Sequence, residues 1–397
     1  MTRELQRIVA TTDVHSAFAD ALPLLTHLHA ARQDSLVVDC GDFFEGSGYY
    51  RLGNGGIERQ LLNTLYDVIA PGNHGWAHHF EPDLHRLTVC ANAVDDTTGD
   101  ALFRRVHFAE ICGRRVAVTG VIGVQAFKAI PYAQRAGHRV TEPVQALREL
   151  MLAHHHEAGS WVLLSHTGFA EDLKIAADCP FLNVIFSGHC HSEEYGPEHI
   201  GDTLVLKGPE LAVGQAFAEP VGAGWAARTE AFSAPPSRLP DGLSALQEEI
   251  ETYRRQLAEP LGTISTPYRN RLLDRRALLQ EIASRLHTGL GAEAVLLNET
   301  ALRNTPLGET LTRGDLLTIG PFGNHLVHAR LENGPDLAEL TYTTGPLVTA
   351  PEPFPTRPSA VLTTDYLADS VLGGHAHQAA FPLAQAVQHV LTGGERQ

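Results

Sequence analysis

Five short motifs follow one another along the first half of this chain, and each begins where an apolar, strand-like run stops. Arg7-Ile8-Val9-Ala10-Thr11-Thr12 leads into Asp13-Val14-His15, and Leu36-Val37-Val38-Asp39-Cys40 into Gly41-Asp42. Asp67-Val68-Ile69-Ala70 precedes Gly72-Asn73-His74, Trp161-Val162-Leu163-Leu164 precedes Ser165-His166, and Asn183-Val184-Ile185-Phe186 precedes Gly188-His189-Cys190-His191. A chain that repeats an apolar strand followed by a polar ligand group is constrained to a sheet architecture. The C-terminal strand ends then share an edge, which is where α/β and layered sheets build their sites. Glycines beside the ligands allow the sharp turns this requires.

The motifs contain Asp, Asn and His side chains. Hard oxygens combined with neutral imidazoles suit a centre of two metal ions, with one carboxylate shared and positions left for water and substrate. A single Asp-x-His or Gly-Asp means little, and one His after a strand is more often a satisfied polar residue. The chain also has 22 His, so some coincidence is expected. Five ordered motifs, all at strand ends, point to a metal centre.

With these residues the chain resembles the calcineurin-like metallophosphoesterases, and more narrowly the 5′-nucleotidase family. The N-terminal likeness runs from about Ile8 to His191. It includes Gly41-Asp42-Phe43-Phe44-Glu45-Gly46-Ser47, Ala91-Asn92-Ala93, Val118-Thr119-Gly120-Val121-Ile122-Gly123 and Glu142-Pro143-Val144. The narrower likeness rests on Asn298 to Arg303, Gly308-Glu309, Thr312-Arg313-Gly314-Asp315, Pro321-Phe322-Gly323-Asn324, Thr363-Thr364-Asp365-Tyr366-Leu367 and Gly373-Gly374. The resemblance implies an α/β (layered α+β) fold. It comprises a four-layer β-sandwich flanked by helices (1–232), a proline-rich linker and helix (233–260), and a smaller α/β substrate-binding domain (261–397). It implies two divalent ions, drawn from Mn, Zn, Fe, Co or Mg. Asp13, His15 and His191 would hold the first and Asn73, His166 and His189 the second, with Asp42 as the bridge. Water shared by the ions would attack phosphorus in line. His74 would face the substrate phosphate, stabilising the transition state or protonating the leaving oxygen, work that suits an imidazole. The alternative for His74 is a supporting residue outside the ligand set. Arg303, Phe322, Asn324 and Tyr366 would bind the organic part of a substrate lying between the domains.

The sequence departs from the family in four places. The Asp that usually lies three positions after this His is Ala77, which removes the partner that orients the imidazole. Glu45 or Glu81 could substitute; otherwise acid catalysis should be weak and good leaving groups favoured. Paired glycines are expected after Asn298, but Glu299-Thr300-Ala301 stands there. Of the two aromatic rings that commonly sandwich a base, Tyr366 matches one. The other would fall between Leu331 and Pro358, a shortened stretch where Phe354 and Tyr342 are the choices. The closing glycine motif reads Gly373-Gly374-His375-Ala376. Tyr366 is equally readable as a core aromatic.

The formal charge of −16 argues against a nucleic-acid polymer as partner, though not against a small anionic substrate. The five cysteines, with no Cys-x-x-Cys, read as buried thiols in a reducing compartment. Cys190 would point away from its neighbouring ligands. The first strand begins close to Met1 and no long apolar run occurs, so the expectation is a cytoplasmic protein with no membrane span. Helices are expected over Ala19–Ala31, Gly56–Leu65 and Pro143–His156. A charged helix over Leu243–Leu257 should be capped by Asp241, after the linker Ser233–Pro240. Short strands are expected at Thr203–Leu206 and Glu219–Trp225.

Three functions compete. The leading one is metal-dependent hydrolysis of a phosphate monoester of a nucleotide or nucleotide-like metabolite. The second is a phosphodiesterase or pyrophosphatase acting on cyclic nucleotides or nucleotide sugars with the same centre. The third is a binding or regulatory homologue with weakened catalysis, suggested by Ala77 and the altered C-terminal half. The sequence leaves the oligomeric state open.

Overall fold

Alternation along each apolar strand sets how the first sheets stack. In a computed structural model, which describes residues 3–233, 241–331, 336–372 and 377–394, two sheets face each other. One runs in the order Gly224–Ala231, Gly214–Val221, Arg7–Thr11, Ser35–Asp39, Val68–Ile69. The other runs Glu198–Ile200, Thr203–Lys207, Val184–Ser187, Ser160–His166, Arg114–Ile122, His107–Ile111. Ile8, Leu36, Val38, Val118, Val162, Leu164 and Phe186 fill the space between them. The opposite face of the second sheet carries Ala117, Trp161, Leu163 and Ile185, which pack on Leu147 and Leu150 of helix Pro143–His154 and Ile175 of helix Phe169–Asp178. Period-2 patterning thus serves two cores at once, one per face. Burying a large aliphatic side chain here contributes about 1.5–3 kcal/mol.

The middle strands of both sheets are parallel, so their C-terminal ends lie on one edge of each sheet. Arg7–Thr11 pairs with Ser35–Asp39, and the latter with Val68–Ile69. Ser160–His166 lies between Arg114–Ile122 and Val184–Ser187. Loops leaving the first sheet carry Asp13, Asp42 and Asn73, while the second sheet supplies His166, His189 and His191.

The chain divides into two units, Met1–Glu45 with Gly53–Glu251, and Gly46–Leu52 with Thr252–Gln397. The division falls inside helix Ser244–Leu257. Gly48 belongs to the second unit because its missing side chain admits Leu257 and Leu317. That unit has a five-stranded mixed sheet ordered Leu347–Ala350, Val295–Asn298, Ala360–Thr364, His325–Arg330, His377–Pro382. Its core includes Leu278 and Ile282 of helix Arg275–Leu290 and Val387 and Leu391 of helix Leu383–Leu391. Asp274 caps the first of these, accepting from the Arg276 and Ala277 amides. Thr312 and Asp315 form a reciprocal capping box that starts helix Arg313–Ile319.

Several expected elements shift. The first helix begins at Leu22, one residue before Pro23, which suits a first turn. Glu219–Trp225 is the tip of a hairpin formed by Gly214–Val221 and Gly224–Ala231 rather than one strand. Cys112 is exposed at the turn after His107–Ile111, contrary to the reading of all five cysteines as buried, and Cys190 is only partly covered. The Asp241 side chain, most of the linker (234–240) and 373–376 lie outside the described residues. No helix among the described residues is long and apolar enough to cross a membrane.

Candidate metal centre

Strained backbone brings the ligand loops together. Asp13, His15, Asp42 and His189 all have positive φ, at 48°, 49°, 55° and 77°. Each such residue costs on the order of 1–3 kcal/mol and persists only where its surroundings hold it. Here the Asp13, His15 and Ser16 amides donate to the Gly41, Asp42 and Phe43 carbonyls at 2.9–3.0 Å, which joins the first two loops. The His74 amide donates to Asp42 Oδ1 at 2.8 Å, and the His189 amide to Asp13 Oδ2 at 3.0 Å. Gly72 faces Asp42 so closely that an added Cβ would lie 2.0 Å from Oδ1.

Three clusters of metal-type ligands result: Asp13, His15 and His191; His15, Asp42 and His74; Asp42, His166 and His189. Asp42 Oδ1 lies 3.3 Å from His166 Nε2, and Oδ2 lies 3.7 Å from His15 Nε2. The structure therefore brings every expected ligand to one place, with Asn73 Oδ1 3.3 Å from His166 Nε2.

His166 tests whether these residues fit a cation. Its Nδ1 lies 2.9 Å from the Cys40 carbonyl, which can only accept, so Nδ1 carries the proton. The Nε2 lone pair then points at a carboxylate oxygen and an amide oxygen. Three acceptors converging in a buried space require a positive charge among them. In the protein alone a second proton meets that need. Burial opposes it, but the Asp42 carboxylate outweighs burial and raises the His166 pKa to about 9. A divalent ion meets the same need. Around it, Asp13 is raised to about 6, mainly by burial, and His189 is lowered to about 4, again mainly by burial. Asp42 is held below the usual carboxylate range: burial opposes this, but the charges of His166 and His74 win. A nearby ion would also favour ionised Asp13.

His74 stands at the rim, its ring 5.0 Å from that of His15. Its Nδ1 donates to Glu45 Oε2 at 2.9 Å, and the Gly75 amide donates to Glu45 Oε1 at 3.2 Å. Of the two acids expected as substitutes for the missing Asp, Glu45 is thus the one that contacts His74. Glu81 instead accepts from His78 and Arg59. Cys190 Sγ accepts from the Phe169 amide at 3.1 Å, directed away from the ligands.

Two residues at this site went unread in the sequence. Glu210 accepts from His191 Nδ1 at 2.5 Å, and Lys207 donates to Glu210 at 2.6 Å. The available signal was a lysine ending the apolar strand Thr203-Leu204-Val205-Leu206 and spaced three residues before a glutamate.

In the second unit the Arg303 guanidinium lies 5.7 Å from the Phe322 ring centre. Pairing of Leu326 with Thr364 puts Asn324 and Tyr366 at the same end of the sheet. Tyr366 and Phe354 are partly buried against Leu296, Leu340 and Leu367, while Tyr342 is 89% exposed. Glu299, where paired glycines were expected, accepts from Arg275 and Arg276 at 3.1 and 3.2 Å. A cavity of about 630 Å³ in this unit, lined by Leu286, Phe381 and Val390, holds none of the metal-type ligands.

Residues 6–193 match the calcineurin-like phosphoesterase family. This part of the chain is a calcineurin-like phosphoesterase domain. The phosphoesterase domain is similar to a probable 5′-nucleotidase of Treponema pallidum, 26% identical over 181 residues, which is 42% of this chain and 30% of that protein. The chain spans less than half the length of that curated relative. Over its whole length the chain is similar in fold to a 5′-nucleotidase precursor from Thermus thermophilus, with a TM-score of 0.73 at 18% identity over 98% of this chain and 96% of the other. A sulfate thiohydrolase from the same organism gives 0.69 at 19% identity, covering 96% of this chain and 81% of that one. The likeness in fold therefore extends over nearly the full length, including the divergent second half.

Proposed function

We propose that this protein hydrolyses a phosphate monoester of a nucleotide or nucleotide-like metabolite. The observation that carries this reading is the position of Asp42, whose two oxygens face the His166 side and the His15 side of one site. Asp13, His15 and His191 would hold one divalent ion, and Asn73, His166 and His189 the other, with Asp42 common to both. Such ions supply activation of water for attack at phosphorus and offset the charge on the phosphoryl oxygens.

The remaining roles belong to the chain itself. Glu45 keeps the His74 proton on Nδ1, which orients Nε2 as the atom to serve the substrate. When Nε2 also carries a proton, His74 is placed to donate it to the leaving oxygen while Nδ1 keeps its own. Cys40 does the same for His166 through its carbonyl. Glu45 gives His74 a carboxylate partner despite Ala77, which answers one of the two features behind the weakened-homologue reading, the other being the altered C-terminal half. Arg303, Phe322, Asn324 and Tyr366 provide cationic, aromatic and amide groups suited to a nucleoside-like moiety.

The test is a substrate panel in Mn²⁺, Zn²⁺, Co²⁺ or Mg²⁺. It should include a nucleoside monophosphate, p-nitrophenyl phosphate and bis-p-nitrophenyl phosphate. Monoester turnover should exceed diester turnover and vanish in Asp42→Ala. Faster diester hydrolysis would replace this reading with the phosphodiesterase one. No turnover by the metal-loaded protein would refute both.

A further inference from the structure

Lys207 is a fully buried lysine, its side chain 0% exposed, at the end of a central strand. Its ammonium has three N–H donors and meets three acceptors. They are the Cys190 carbonyl at 2.8 Å, the Ser192 carbonyl, and Glu210 Oε1 at 2.6 Å. The two carbonyls flank His191 on either side. The third partner, Glu210, accepts from His191 Nδ1 through its other oxygen at 2.5 Å. One ammonium therefore grips the backbone before and after His191 and also the carboxylate that holds its ring.

His191 has need of such a grip. Its side chain is 55% exposed, whereas that of His166 is 0% exposed and held by packing. An exposed imidazole samples several rotamers and both tautomers. Binding a metal would have to select one of each. The loop bearing Glu210 is tied to the same side of the centre, since the Leu211 amide donates to the Asp13 carbonyl at 3.0 Å. Asp13, His15 and His191 are the ligands grouped there.

We propose that Lys207 and Glu210 are positioning residues that preset His191 for the first metal ion, so that this pair controls the affinity of one ion of the two. The inference rests on the two-ion reading above. Glu210 fixes the proton on Nδ1 and presents Nε2 as the ligand atom. Lys207 fixes Glu210 and the loop. Neither touches the Asn73, His166 and His189 side of the centre in the contacts described. Outer partners of metal-bound histidines typically change affinity by about 10–100-fold.

Removing one member of a buried ion pair is destabilising, so two variants are needed. Glu210→Ala deletes the acceptor of His191. Lys207→Met/Glu210→Met replaces the pair with apolar side chains of similar length and leaves no buried charge. Apo proteins are titrated with Mn²⁺ alone by equilibrium dialysis, and folding is checked by thermal denaturation. Wild type should bind two ions. Each folded variant should bind one ion about 10–100-fold more weakly and the other unchanged. Imidazole ¹⁵N spectra of the apo protein should show Nδ1-protonated His191 in wild type and its loss in the variants. Wild-type affinity for both ions in either folded variant would overturn the inference, as would equal weakening of both. Fewer than two ions bound by wild type would instead sink the two-ion reading, and this inference with it.

Discussion

Removing Glu45 tests the substitution that compensates for Ala77. Glu45 and His74 are each 19% exposed, so their contact is largely shielded from water and salt. The bond is 2.9 Å long. A hydrogen bond to a charged group contributes roughly 1.5–3 kcal/mol. If that orientation is expressed mainly in the transition state, Glu45→Ala lowers kcat by about 10–150-fold, at 1.36 kcal/mol per decade. The loss should depend on the leaving group. A nucleoside monophosphate needs protonation of its departing oxygen, and p-nitrophenolate barely does. The assay is therefore kcat on both substrates at saturating metal, with metal content measured on the same samples. Glu45→Gln keeps one acceptor oxygen, enough for Nδ1 or for the Gly75 amide but not for both, so it should lose less than Glu45→Ala on the poor leaving group. An equal loss on both substrates would mean that His74 only stabilises phosphoryl charge. No loss on either, with metals retained, would refute the orienting role of Glu45.

Four further outcomes are expected. Asp42→Ala should lose both ions by elemental analysis, or all activity; a fully metallated, active variant would contradict the shared-ligand assignment. Gly72→Ala places a methyl 2.0 Å from Asp42 Oδ1 and 2.4 Å from the Asp42 backbone nitrogen, so the loop must shift and metal binding should fall sharply; intact metal content would show that the loop can yield. Burial raises Asp39 from 3.8 to about 8, so the folded apo protein keeps a proton that the unfolded chain loses. That contribution to stability is complete below about pH 3.8 and is lost as pH rises through about 8. Asp39→Asn should flatten the decline in urea midpoint over that window, and an unchanged slope would assign the decline elsewhere. Tyr366→Ala should raise KM about tenfold with little change in kcat, since one aromatic stack contributes roughly 1–3 kcal/mol. An unchanged KM with the protein folded would make Tyr366 a core aromatic.

Much of the centre was legible in the sequence because strand periodicity and ligand chemistry are both local. Ile8 and Ala10 alternate with residues of the other face, and the run ends at Thr11, so Asp13 had to fall just past a strand end. The same logic placed Asp42, Asn73 and His189, whereas His166 is the last residue of its strand, Ser160–His166, and not just past it. The expectation that Asp42 is shared followed only from the family likeness, because no spacing of residues states which two ions a carboxylate faces. The hairpin at Gly222 and the turn that exposes Cys112 each join strands adjacent in sequence, and their positive-φ glycines, Gly222 and Gly113, were local signals that went unread.

What the sequence by itself determined, then, is which atoms the centre can use: its Asp, Asn and His side chains and the strands that end beside them. The tertiary structure decided how those atoms are held. Glu45 lies 29 residues from His74, and Glu210 lies 19 from His191, so neither partnership follows a helix or strand period. Lys207 ends the strand Thr203–Lys207 and is buried in the fold, where three acceptors gather around its ammonium. Side-chain chemistry is carried by each residue alone, whereas burial, tautomer and orientation depend on neighbours that only folding supplies.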